Sequence, residues 1–337
     1  MKRRGMGKNG KIKGLELSRR YYHAYGKKML EEKFPMLAGR VAAGLAGQGS
    51  ECLGFDDAIS RDHDYGPSFC LWLTREDYEK YGQVMEAEYR KLPKDFEGVK
   101  GRMESLHGSG RVGVLCIPDF YYGILGTEDI PKSNREWMRL PESALCMATN
   151  GEVFEDPLGE FSRIRNGLLP CYPEDVRIKK MAARAAVMAQ SGQYNYARAM
   201  KRGEKVAARL ALAEFMRSAI SMVYLINRRY APFYKWMRHG MKELPVLSEI
   251  GDILDLLAGM EDQSQAWEGA GEMDYLYTVN GNDKCVIIVE AVCSLVIQEM
   301  AARGLTEEGD NFLESHTAAL MEKIQDPDIR SMHVMEG

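Results

Sequence analysis

The residues whose types and spacing could do chemistry lie in one stretch, from Gly49-Ser50 to Asp62-His63-Asp64. A Gly-Ser turn follows a helical pattern, and an Asp-x-Asp stands thirteen positions after Gly49. The pattern predicts a strand over Asp64–Leu73. Residues i and i+2 of a strand share a face, so Asp62 and Asp64 would project their carboxylates side by side. Two like charges so placed repel unless a cation lies between them. Hard carboxylate oxygens suit Mg²⁺ (or Mn²⁺), which uses one or two carboxylates together with substrate phosphates. A second ion would let the pair clamp the attacking and leaving oxygens of a phosphoryl transfer. Gly49 lets the backbone approach a phosphate, and Ser50 offers a hydroxyl and an N–H. The plainer alternative is a turn, since Ser- and Asp-rich loops often do no more than that.

A second block, Arg228 to His239, packs four cations, four aromatics and a histidine into twelve residues. Pro232 suits the first turn of a helix, on which Lys235 and His239 share a face at i and i+4. One reading has Lys235, with Arg229 behind it, gripping a triphosphate and stabilising charge on the transferring group. The other is an amphipathic helix with buried aromatics and solvated cations.

The elements that must position these residues divide into two kinds. Leu15–Lys33 reads as an amphipathic helix and Pro35–Ala46 as a second, Ala-rich one, broken by Gly47–Gly49. Arg75–Leu92 has helical spacing, and Val112–Ile117 reads as a strand ended by Pro118. Helix, strand, helix, strand implies a mixed sheet with flanking helices. From Pro131 onward the strand signal fades, and Glu174–Gln190, Tyr194–Asn227, Ala231–Lys242, Pro245–Met260, Asp283–Arg303 and Glu307–Ile324 carry helical patterns. Asp283 would cap its helix and Gly304 would terminate it. The expected fold is α+β: a flexible basic tail over 1–14, a small mixed-sheet core over 15–130, and an all-helical domain over 131–337.

Of the 337 residues, 28% are charged and the net charge is −4, which gives no pull toward nucleic acid. The basic N-terminal run (Lys2, Arg3, Arg4, Lys8, Lys11, Lys13) sits among glycines and reads as a solvated tail, or else as a phosphate-contacting arm. No apolar stretch follows it, so it does not read as a signal peptide. The longest apolar run, Val286–Ile297, is interrupted by Glu290 and short for a bilayer, so no membrane role is expected. The seven cysteines form no Cys-x-x-Cys pair, which argues for reduced thiols and a cytoplasmic protein.

Gly49-Ser50 followed by Asp62-His63-Asp64 resembles the signature of the polymerase-β-type nucleotidyltransferase superfamily. The longer run from Gly49 to Asp57, with Ser60 to Pro67, is similar to a bacterial family of unknown function within it. Leu140-Pro141-Glu142, Gly151-Glu152-Val153-Phe154, Tyr172-Pro173-Glu174-Asp175-Val176 and the Asn227–Trp236 block look like that family's helical-domain segments. The resemblance implies Mg-dependent transfer of a nucleoside monophosphate from an NTP, ATP among them, to a small-molecule acceptor, with release of pyrophosphate. It implies Asp62 and Asp64 as metal ligands, Gly49 and Ser50 as nucleotide ligands, and Lys235 and Arg229 as phosphate ligands. It also implies a third carboxylate on a later strand, where this chain has Gly113. Asp119 just beyond is a substitute if the strand continues, and otherwise a helix N-cap before Phe120. Loss of that acid would leave a nucleotide-binding sensor on the same fold.

Overall fold

The structure, a computed structural model, describes residues 12–60, 65–102, 110–269, 279–307 and 309–337. Two compact units emerge: one runs to Pro131 and takes in Ser143–Pro170, and the other comprises Lys132–Glu142 and Cys171–Gly337. The basic run up to Lys11 lies outside the described residues.

Unit one opens on α1 (Gly14–Tyr21), which passes through a π-helical stretch, Tyr22–Gly26, into α2 (Lys27–Lys33). The sequence expects a helix over Pro35–Ala46, but only Pro35–Leu37 is helical, as a single 3₁₀ turn. Strand β1 (Ala42–Leu45) follows. The alanines favour helix locally, yet the position demands small residues. A side chain on Gly44 would strike the Glu152 carbonyl and the Trp72 ring. Tertiary pairing on both edges thus overrides local propensity.

The sheet continues with β2 (Cys70–Leu73), then, after α3 (Arg75–Tyr89), with β3 (Gly113–Cys116). Next come α4 (Ile117–Leu125), then α5 (Asn134–Met138), which belongs to unit two, and back in unit one α6 (Glu142–Thr149), β4 (Glu152–Glu155) and α7 (Glu160–Leu168). The sheet order is β3-β2-β1-β4, with β1 antiparallel to both β2 and β4 and β3 parallel to β2. The α+β class and mixed sheet expected from the sequence are therefore present.

The expected start of the next strand is also corrected. Strand β2 starts at Cys70, not Asp64, because Pro67 lacks an N–H and Gly66 has φ +150°. The chain leaves unit one after Pro131 and returns to it over Ser143–Pro170, where β4 pairs with β1. Four residues bounded by glutamates gave too short a strand signal to register. Both glutamates protect this edge: Glu152 pairs with Arg19, and Glu155 accepts from Lys27 at 2.6 Å and Tyr22 at 3.1 Å. Strand β3 ends at Cys116, and Pro118 lies in the first turn of α4.

Both faces of the sheet are covered. Ala43, Phe69, Leu71, Leu73 and Val114 pack with Tyr21, Tyr22, Leu30 and Met85 from α1, the π-helical stretch, α2 and α3. The opposite face carries Trp72, stacked on Phe161 with ring centroids 3.9 Å apart and edge-on to Phe120. A strand buried on both sides reads as an unbroken apolar run, as Cys70–Leu73 does.

Unit two is helical among the described residues. Its longer helices are α8 (Glu174–Met188), α10 (Lys205–Ile226) and α13 (Lys284–Ala302). Between them lie α9 (Tyr196–Lys201), α11 (Tyr234–Met241) and α12 (Ile250–Ala258), and α14 (Thr317–Lys323) and α15 (Pro327–Arg330) follow. Asp283 caps α13 as expected, accepting from Cys285 N at 2.7 Å, and Gly304 stands just past its end with φ +67°. At 19 residues α13 is long and apolar enough to cross a bilayer, which the sequence reading did not allow it. Here Val289, Val292, Cys293 and Val296 are fully buried and Glu290 accepts from Gln193 and Asn311, so it serves as a core helix.

Candidate functional site

The antiparallel pairing of β1 with β2 brings the end of β1 beside the start of β2, with Gly44 opposite Cys70. Strand β3 runs parallel to β2 and starts at the same end, with Gly113 opposite Cys70. One end of the sheet therefore collects the Gly49-Ser50 turn, the segment leading into β2, and Gly113.

The turn is held from below. Asn150 clamps Gly47 twice, accepting from its N–H and donating to its carbonyl, each at 2.8 Å. The chain then coils once, with Leu53 N and Phe55 N donating to the Ser50 carbonyl at 3.2 and 2.9 Å. Gly49 has φ +126°, and a methyl there would lie 2.5 Å from the Glu51 carboxylate, so only glycine fits. Among the described residues, the N–H groups of Gly49 and Ser50 and the Ser50 hydroxyl donate to nothing in the chain. Successive unspent donors on a tight turn are what an anionic oxygen needs.

Beneath the turn, Glu51 is 6% exposed and faces Arg102, whose Nη1 lies 3.4 Å from both Glu51 Oε1 and Ser68 Oγ. Burial pushes the Glu51 carboxyl above its usual range, and Arg102 opposes that only in part. Asp56 is equally buried; it accepts from Gly14 N at 3.3 Å and faces Lys13 Nζ at 3.5 Å. Asp57 accepts from the N–H groups of Ile59 and Ser60, and the Ser60 N–H above all holds its carboxyl low. Asp57 thus shapes the turn that leads into Arg61–Asp64. The nearby thiols are inert: burial pushes Cys70 up to about 12 and Cys52 well above its ordinary value.

Asp62 and Asp64 lie outside the described residues, as do His63 and 103–109. Their flanks are placed. Tyr65 donates to the Ile12 carbonyl at 3.2 Å, and its ring lies 3.5 Å from where a methyl on Gly14 would point, beside Glu51. The chain therefore leaves the unplaced segment next to the Gly49-Ser50 turn. Among the described residues no group of three or more His, Cys, Asp or Glu side chains suits a metal ion. Glu51 and Asp56 are committed to cations.

Gly113 and Asp119 are accounted for separately. Gly113 has φ +101°, and a methyl on it would meet Glu86 Oε2 at 2.7 Å. Glu86 accepts from Val114 N at 2.9 Å, closing the outward N–H of an edge strand. Asp119 lies in the first turn of α4, beyond the end of β3, and pairs with Arg75 at 2.8 Å. Arg75 itself follows the end of β2, so the two meet at the end of the sheet away from Gly49-Ser50. Neither a strand position nor an N-cap describes Asp119, because Cys116 caps α4.

Lys235 and Arg229 belong to unit two. Lys235 is exposed on α11, with its ammonium 5.9 Å from the Trp236 ring, and Arg229 is exposed in the link before it. Neither pairs with a carboxylate among the described residues. Pro232 precedes α11 rather than opening it, since Phe233 is the N-cap. Arg228, by contrast, pairs with Glu174 at 2.7 Å, and Tyr230 packs edge-on against Tyr172 at 5.1 Å.

Sequence reasoning missed Glu51, Arg102, Asn150 and Lys13 as supports of the turn. Glu51 was within reach, as the residue after Ser50. The other three act over long separations that leave no local signal.

Residues 137–237 match a family described as a domain of unknown function (DUF4037). This span includes the helical-domain blocks from Leu140 to Trp236. No curated protein matches the chain. Among solved structures it is similar to a nucleotidyltransferase-like protein from Exiguobacterium sibiricum 255-15, at 11% identity and TM-score 0.36, covering 88% of this chain and 90% of that one.

Proposed function

We propose that the Gly49-Ser50 end of the sheet binds the phosphates of an NTP, and that the protein transfers a nucleoside monophosphate to a small-molecule acceptor with release of pyrophosphate. The observation that carries this is the turn itself, with three unspent donors just beyond the Gly47 backbone that Asn150 clamps. It opens beside the chain that leads from Asp62 and Asp64 into β2. These two carboxylates would hold a Mg²⁺ ion, which when bound neutralises phosphate charge. Gly49 and Ser50 would orient the phosphate oxygens.

A second reading, a nucleotide-binding sensor without turnover, is favoured by Gly113. Its φ and the Glu86 carboxylate beside it exclude an acid at that place on β3.

A thermal-shift comparison of the four NTPs, with and without Mg²⁺, tests the common ground. Wild type should be stabilised by NTP with Mg²⁺, and Asp62→Asn or Asp64→Asn should lose that stabilisation. An undiminished shift in both variants would refute the site. Pyrophosphate release across an acceptor panel then separates the enzyme from the sensor.

A further inference from the structure

Unit two holds a cavity of about 130 Å³ that the proposed nucleotide chemistry does not use. Helix periodicity builds its wall. Lys205, Ala208, Arg209 and Leu212 recur at i, i+3, i+4 and i+7 on α10, so one face of that helix lines the space. Tyr196 and Met200 stand at i and i+4 on α9 and close it from a second side. The segment 261–263 after α12 and Cys285 in the first turn of α13 complete it.

The interior is apolar. Tyr196, Met200, Ala208, Leu212 and Cys285 are all buried. The Tyr196 hydroxyl is engaged with Asp283, to which it donates at 3.0 Å. Burial pushes the Cys285 thiol up, so it serves as a small apolar group and not as a nucleophile. An apolar wall with nothing against it forfeits dispersion contacts, and a cavity of about 150 Å³ with such walls takes up a benzene-sized molecule. The space here therefore admits a side chain the size of leucine's or methionine's and is too small for a nucleotide.

The mouth is charged. Lys205 and Asp262 are paired with each other, and Lys205 above all draws the Asp262 carboxyl down to about 2. Asp262 also accepts from the Ser264 hydroxyl at 2.6 Å, so both members of that pair are engaged. Arg209 and Glu261 are not. Arg209 donates from Nη2 to the Met260 carbonyl at 3.0 Å, and the rest of its guanidinium meets no acceptor among the described residues. The Glu261 carboxylate likewise has no partner among the described residues. One unmatched cation and one unmatched anion thus border one apolar cavity.

We propose that this cavity binds a free α-amino acid with an apolar side chain, its carboxylate on Arg209, its ammonium on Glu261 and its side chain among Met200, Ala208, Leu212 and Cys285. A zwitterion uses both unmatched charges at once. A plain carboxylate would face Glu261 unfavourably, and a plain amine would face Arg209 so. The guanidinium fork suits a carboxylate because it can grip both oxygens. The site lies wholly within unit two and stands whether or not unit one binds a nucleotide.

The test is calorimetric titration of the full chain with L-leucine and L-methionine. Glycine, isocaproate and isoamylamine serve as leucine stripped of its side chain, its ammonium or its carboxylate. An amino acid should bind, and each stripped ligand should bind at least about tenfold more weakly, the loss expected for an apolar side chain or a charged hydrogen bond. Arg209→Gln and Glu261→Gln change exposed residues, so the fold should survive both. Each should weaken leucine binding about tenfold. Arg209→Gln should also lose the preference for leucine over isoamylamine, and Glu261→Gln the preference over isocaproate. No binding of either amino acid by wild type overturns the proposal. So does isocaproate binding as tightly as leucine, or undiminished leucine binding in both variants with native circular dichroism spectra.

Discussion

Replacing Gly113 with alanine probes why β3 carries no acid. The residue has φ +101°, a conformation that costs an L-residue about 1–3 kcal/mol. The new methyl would also lie 2.7 Å from Glu86 Oε2 and push that carboxylate off the Val114 N–H, now 2.9 Å away. A hydrogen bond to an ionised acceptor contributes roughly 1.5–3 kcal/mol, toward the low end here because the Glu86 side chain is 30% exposed. Together the two effects should destabilise the fold by about 3–5 kcal/mol, a large fraction of a typical domain's stability. Urea unfolding should show a midpoint lowered by roughly 1 M or more. The clash is separable from the backbone strain. In Gly113→Ala/Glu86→Ala the methyl no longer meets the Glu86 carboxylate, so the double variant should cost less than the sum of the singles by about 1 kcal/mol or more. A single variant within about 0.5 kcal/mol of wild type, or strict additivity, would refute the reasoning.

Arg102→Met should destabilise by about 3 kcal/mol, since it leaves Glu51 buried beside no cation; adding Glu51→Gln should recover much of that loss in the same urea assay. Glu51 also sets a pH dependence. Its carboxyl is raised by burial, so its stabilising contribution is present below the ordinary glutamate value and fades as pH rises through the raised one. The wild-type midpoint should fall across that window and the Glu51→Gln midpoint should stay flatter; parallel curves would dismiss the assignment. Asp283→Ala should lower the melting temperature sharply, because this 0%-exposed carboxylate caps α13 and also accepts from Tyr196 at 3.0 Å and Trp267 at 2.6 Å. A loss no larger than that of an ordinary cap, about 1 kcal/mol, would mean that those two partners add nothing.

Signals carried within a few residues were legible in the sequence. Asp283 before an apolar run and Gly304 after it marked α13, and the apolar Phe69–Leu73 run marked β2. The failures share a cause. Strand β1 looks helical because its alanines serve contacts made with Trp72 and Glu152, far along the chain. Strand β4 was invisible because its partner β1 lies more than a hundred residues earlier. At the site, the Gly49-Ser50 turn was read from its own residue types. Its supports were not, since Asn150 and Arg102 reach it across long separations. The Gly66-Pro67 pair was available as a strand breaker, and giving it full weight would have kept Asp64 out of β2.

The commitments of the acids sharpen what an enzyme at this site would have to accept. Glu51 is tied to Arg102, Asp56 to Lys13 and Gly14, Glu86 to Val114, and Asp119 to Arg75. The β3 position opposite Cys70 is Gly113, held at φ +101° against the Glu86 carboxylate. With Asp62 and Asp64 assigned to metal in the proposed reaction, none of these carboxylates is free to take a proton from an acceptor hydroxyl. If the base is sought among the described residues, the acceptor should then arrive already ionised, as a phosphate or carboxylate does near neutral pH. Turnover should be nearly level across neutral pH with such acceptors and negligible with simple alcohols. A rate climbing about tenfold per pH unit with an alcohol acceptor would show a base at work, supplied either by the opening of one of these four contacts or by a residue outside the described ones.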